Sequence, residues 1–180
     1  MSTPAQPFLS DVQELRRRAR QNIERGALTD SYQLDARQVC DILNQALATE
    51  IVCVLRYKRH FYMAKGINSE AVAQEFAQHA AEEQEHADLL AERIVQLGGE
   101  PDFEPKGLAT RAHSEYKEGG DLTGMIRENL IAERIAIVTY REFIRFLGDK
   151  DVTTRRIFEE ILAVEEEHAD DMADLMQGRE

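Results

Sequence analysis

Glu83-Gln84-Glu85-His86-Ala87-Asp88, with Ala91 three residues on, returns 82 residues later as Glu165-Glu166-Glu167-His168-Ala169-Asp170, with Ala173 three residues on. In a helix, positions i and i+3 lie on one face, so each copy presents a glutamate and a histidine together. Helix formers dominate the flanks, apolar positions recur at three- and four-residue spacing, and strand signals are almost absent. An all-α fold follows.

Working outward, four long helices are expected over 35–65, 69–97, 121–147 and 151–177. Each opens on Asp35, Ser69, Asp121 or Asp151 and closes on Gly66, Gly98, Gly148 or Gly178. Asp35 with Gln38 three residues on has the pattern of a capping box. The links 66–68 and 148–150 are tight and join antiparallel neighbours, whereas 98–120 is long and holds Pro101, Pro105, Gly107, Gly119 and Gly120. Short, long, short is the connectivity of two hairpins joined by one crossover. A shorter amphipathic helix is expected over 10–25, bearing Arg16, Arg17, Arg18, Arg20 and Arg25, and is read as laid on the bundle or on a neighbouring subunit. Residues 1–34 are thus an extension and 35–178 the bundle.

The first and third helices repeat as well, at an offset of 83: Glu50 matches Glu133 and Tyr57 matches Tyr140. The hairpins read as two copies of one unit. Glu50 lies 16 residues before Gly66 and Glu83 lies 14 after Ser69; Glu133 lies 15 before Gly148 and Glu165 lies 14 after Asp151. Equal distances from a turn mean equal height in an antiparallel hairpin. All four glutamates therefore stand at mid-bundle. Glu50 interrupts the apolar stripe of Leu43, Ala46, Cys53, Val54 and Tyr57, and Glu133 that of Ile126, Leu130, Ile137 and Tyr140.

Buried carboxylates cost several kcal/mol each, on the order of magnitude measured for unpaired ions, and four together repel. No Lys or Arg obviously shares the stripe at that level, so divalent cations are the simplest compensation. Glu83 and Glu165 would bridge two ions, with His86 and Glu50 completing one half and His168 and Glu133 the other. Carboxylate and imidazole donors suit iron or manganese, and zinc by affinity. Glu82, Glu85, Glu166 and Glu167 are read as solvated neighbours, and His60 and His113 as surface residues. His79, one turn before Glu83 on the same stripe, is read as a packed or exposed histidine, with a supporting role at the site or a further iron site as alternatives.

The bulk numbers agree. The chain has 180 residues, 43% hydrophobic and 31% charged, enough for one folded domain. Apolar runs are short, so no membrane span is expected, and Met1 to Phe8 lacks the pattern of a signal peptide. A cytoplasmic location is the expectation. The net charge of −12 disfavours nucleic acid as the main partner and suits a protein that handles cations. Cys40 and Cys53 lie roughly 20 Å apart along one helix, too far for a bond within the chain.

At these residues the sequence resembles the ferritin-like superfamily, bacterioferritin most closely, over about 35–177. The two-histidine, four-glutamate pattern is the di-iron arrangement of that superfamily. The resemblance places its first-helix glutamate at Glu50, its two Glu-x-x-His motifs at Glu83/His86 and Glu165/His168, its third-helix glutamate at Glu133 and a tyrosine at Tyr57. It implies a ferroxidase centre, with Tyr57 and Tyr140 two turns away, that oxidises Fe(II) with O2 or peroxide, and ferric mineral stored in a homo-oligomeric cage of 12 or 24 subunits. Haem-binding members carry a methionine directly after the second-helix glutamate; here that residue is Gln84, so haem is not expected. With the end at Glu180, the short fifth helix of 24-subunit shells is not expected. With the extra helix before residue 35, this is more similar to the Dps-like cages of twelve. The rivals are a rubrerythrin-like or other di-metal peroxidase or oxidase, which a long pocket beside the metals would favour, and a DNA-protecting cage using the N-terminal arginines.

Overall fold

The computed structural model describes residues 11–66 and 69–178. The segment Met1 to Phe8, the expected helix start at residue 10 and the last two residues of the 66–68 link lie outside the described residues. Four long helices form the body: α2 (Ala36–Met63), α3 (Ser69–Gln96), α5 (Leu122–Leu147) and α6 (Val152–Gln177). Short α1 (Val12–Arg18) precedes them, with a 3-10 turn at Ile23–Arg25, and α4 (Pro105–Arg111) sits in the crossover. α2 packs chiefly on α3 and α5 on α6, and the two hairpins meet through α2–α5 and α3–α6. This is the bundle with one long crossover that the connection lengths imply.

Aspartates start the helices by satisfying backbone N–H groups that have no partner in the first turn. Asp121 accepts from Gly124 N at 2.7 Å and Asp151 from Thr154 N at 2.9 Å. Asp35 accepts from Arg37 N at 2.9 Å. Glycines end α3 and α5: Gly98 has φ 74 and Gly148 φ 47, values at which a side chain is strained.

Two expectations are corrected. The N-terminal helix spans 12–18, not 10–25, because it buries no residue and Asn22 turns the chain with φ 50. The crossover is not bare loop: Pro105 opens α4, Glu104 caps it through Gly107 N at 2.9 Å, and Leu108 packs on Ala48 and Val52 of α2. A seven-residue helix with one buried residue leaves no periodicity to read.

Besides the small cluster of Ala48, Val52 and Leu108 under the crossover, the apolar core of the described residues has two large parts. One cluster holds Leu43, Leu47, Leu90, Ile94, Tyr140, Leu147, Phe158 and Ile161. The other holds Tyr57, Val72, Phe76, Leu122, Ile126 and Met172. α2 carries a window long and apolar enough to cross a membrane, which the short apolar runs had not suggested, but 61% of that window is buried inside the bundle. It is the core helix. Both cysteines are buried and free.

Candidate metal centre

Between the two apolar clusters lies a polar layer, which the heights of the four glutamates account for. Glu50, Glu83, His86, Glu133, Glu165 and His168 are each at most 6% exposed. The structure brings all six together. Glu50, Glu83, His86 and Glu165 aim donor atoms at one point, and Glu83, Glu133, Glu165 and His168 at a second; every donor in a set lies within 4.8 Å of the others. Glu83 and Glu165 belong to both sets. His86 Nδ1 stands 3.5 Å from Glu50, 3.4 Å from Glu83 and 3.1 Å from Glu165. His168 Nδ1 stands 3.7 Å from Glu83.

Most of these donors have no hydrogen-bond partner: Glu83 Oε1 and Oε2, His86 Nδ1, Glu133 Oε2, Glu165 Oε1 and His168 Nδ1 are buried and unpaired. Buried polar atoms are ordinarily paired, so a convergent set of unpaired ones fits a pair of cations held between them. The remaining atoms are tied down. Tyr57 donates to Glu133 Oε1 at 2.5 Å, and Tyr140 donates to Glu50 Oε1. The tyrosine of each hairpin thus orients the glutamate of the other, a closer role than the two-turn spacing implies. His168 Nε2 donates to Glu82 Oε2 at 2.8 Å, which leaves Nδ1 facing the layer.

Electrostatics show the same strain. Burial, then the charge of Glu83, pushes Glu50 up to about 8. Glu133 and Glu165 are raised by burial and by Glu83 in turn. Burial also opposes ionisation of Glu83, but the close approach of Glu50, His168 and His86 overrides it and holds that carboxyl well below the usual range. Burial opposes protonation of His86 and His168 too, yet the surrounding glutamates win and both are raised, His168 to about 9. At neutral pH the layer therefore resists full ionisation, and added positive charge would favour it.

Three residues depart from expectation. Glu82 is no mere solvated neighbour, since it holds His168. His60 is fully buried, not a surface residue; its Nε2 meets Lys117 O at 3.1 Å, and burial, then Arg56, lowers it to about 4. His79 takes the packed arrangement of the two read for it: it is fully buried and stacks on His168 with ring centroids 3.8 Å apart. A buried arginine was also missed: Arg56 donates to Asn129 Oδ1 at 2.8 Å and Glu115 O at 3.1 Å, near Glu133. Its signal was the second stripe Thr49, Cys53, Arg56, His60 on α2, which the crossover covers. His113 is exposed, as expected.

An opening of about 260 Å³ between α3 and α6 reaches His86 and His168, with Gln78, Glu82, Glu85, Glu167 and Asp171 on its rim. An acidic rim of this size suits small cations rather than an organic substrate.

Comparison with known proteins extends the picture. Residues 40–179 match the family model described as the ferritin-like domain. A bacterioferritin of Desulfovibrio desulfuricans is 28% identical over 137 residues, 73% of this chain and 70% of that one. A nutrient stress-induced DNA-binding protein of Synechococcus is 31% identical over 137 residues, 73% of this chain and 77% of that one. Among solved structures, a dodecameric thioferritin, the bacterioferritin-related protein from Bacteroides fragilis, superposes with a TM-score of 0.78 at 36% identity, covering 81% of this chain and 88% of that one.

Proposed function

The chain belongs to the ferritin-like family, and from that premise we propose that it takes up Fe(II), oxidises it at the six-residue layer and stores the ferric product in a homo-oligomeric shell. The observation that carries this reading is the convergence of unpaired donors into two sets that share Glu83 and Glu165.

Iron is here the substrate. Glu83 and Glu165 would each face both ions; Glu50 and His86 would hold one, Glu133 and His168 the other. Two Fe(II) ions would lie about 3.5–4 Å apart, each supplying one electron to O2 or peroxide. The protein's part is to hold that geometry. Tyr57 and Tyr140 fix the terminal glutamates, Glu82 fixes the tautomer of His168, and the apolar clusters on both sides exclude bulk water. Manganese and zinc meet the same donors. Haem has no part in this reading, because residue 84 is a glutamine whose amide donates to Asp88 at 2.9 Å.

The shell rests on the dodecameric relative. DNA protection is not favoured: Arg17 and Arg18 pair with Glu14, and the net charge is −12. A di-metal peroxidase acting on an organic substrate is not favoured either, given the small acidic opening.

Anaerobic Fe(II) titration followed by oxygen tests the reading. About two Fe(II) per chain are expected to bind and oxidise rapidly. Glu83→Ala or His168→Ala should abolish rapid oxidation while circular dichroism stays helical. Rapid oxidation surviving in both variants would remove the assigned site.

A further inference from the structure

One turn outside the layer, His79 is fully buried, yet its Nε2 has no hydrogen-bond partner. That nitrogen points between two carboxylates, Glu75 Oε1 at 3.3 Å and Asp171 Oδ2 at 3.5 Å. The other ring nitrogen decides what it offers. Tyr57 spends its only proton on Glu133, so its oxygen accepts from His79 Nδ1, 3.1 Å away. The ring proton is then on Nδ1, and Nε2 presents a lone pair to two anionic oxygens. Three electron-rich atoms facing each other repel unless a metal ion, or a second ring proton on Nε2, sits among them.

The distances suit one. With bonds of 2.0–2.1 Å, donors around a tetrahedral ion stand about 3.4 Å apart. The two separations, 3.3 Å and 3.5 Å, straddle that value. A histidine whose second nitrogen is fixed by a hydrogen bond is also the usual form of a metal ligand.

We propose that Glu75, His79 and Asp171 form a third metal site, distinct from the pair, that binds one divalent transition-metal ion. Glu75 comes from the turn of α3 before His79, and Asp171 from α6, so the ion bridges the two hairpins. Asp171 also lines the acidic opening between α3 and α6, and an ion can reach the site from that side. The ring of His79 lies flat on His168, which puts the third ion one imidazole away from the pair. Its function would be a loading station, a role that rests on the iron reading above; the binding site itself does not.

Zinc is the probe, because it stays divalent in air. Equilibrium dialysis with metal analysis should give about three Zn(II) per chain for the unaltered protein. The double variant Glu75→Gln/Asp171→Asn should give two; both side chains are part-exposed, so the fold is retained and circular dichroism checks it. Glu83→Ala/Glu165→Ala should keep the third ion and lose the pair. Zinc-edge anomalous maps should place a peak at bonding distance from His79 Nε2 that vanishes only in the Gln/Asn variant. Filled pair positions with no peak at His79 would overturn the third site. A peak at His79 with none at the pair would instead overturn the dinuclear reading and leave this one standing.

Discussion

Glu50 shows how one residue carries both the cost and the use of the layer. The unfolded chain binds its proton with the ordinary value of 4.5, whereas the folded protein holds it up to about 8. The folded state therefore binds more protons across that window. Its contribution is fully present below 4.5 and is lost as pH rises towards 8. Glu133, Glu165, His86 and His168 shift in the same direction; Glu83 shifts oppositely, but its window lies below 4.5. Chelator-treated protein should therefore melt lower at about pH 8 than at about pH 5.5, by on the order of 5 °C, and Glu50→Gln should flatten the trend. Added divalent ions compete with those protons, so loaded protein should lose or reverse the dependence. Differential scanning calorimetry at the two pH values decides it; an equal slope in Glu50→Gln would sink the assignment. The six layer residues could be picked out because they break apolar stripes at repeated offsets. Arg56 and His60 could not: a cationic or histidine side chain on a helix usually marks solvent, and nothing local records that the crossover covers the second face of α2.

At the scale of elements, helix ends were legible because caps are local chemistry: an aspartate before, a glycine after. α4 was not, since its identity comes from Leu108 meeting Ala48 and Val52, a contact made only once the crossover has folded back. Asp151 joins the two kinds of information. As a cap it was readable, yet its side chain also accepts from Arg93 Nη2 at 3.0 Å and from Tyr32 OH at 2.7 Å. It thereby pins α6, α3 and the segment before α2 at one end of the bundle. Asp151→Ala removes the cap, about 1 kcal/mol, and strands a buried arginine, about 3–5 kcal/mol. Urea unfolding should shift by that sum with little change in slope. Asp151→Asn, which keeps the cap but not the charge, should fall between. Iron oxidation in both folded variants should be near normal, because Glu165 lies roughly 20 Å further along α6. A large loss of oxidation with little loss of stability would show that this end of the bundle acts on the site directly.

At the scale of the molecule, oxidation and storage make different demands. Oxidation needs only the layer within one bundle. Storage needs a hollow far larger than those among the described residues: apolar clusters fill both sides of the layer, the opening beside it is about 260 Å³, and another along α5 and α6 is about 570 Å³. Any mineral must therefore lie between copies of the chain. Large side chains left exposed on the long helices, among them Leu55, Tyr62, Val95, Ile131 and Val138, are the kind of surface that assembly covers. Closed assemblies are symmetric, and twelve chains of 20.6 kDa give a particle of about 250 kDa. Light scattering coupled to size exclusion should find a single species of that mass or its double. Iron loaded in excess of two or three ions per chain should co-elute with it. Glu83→Ala should assemble normally and load slowly, separating shell from site. If the protein instead runs as a monomer or dimer that still oxidises Fe(II), the layer keeps its chemistry and storage is withdrawn.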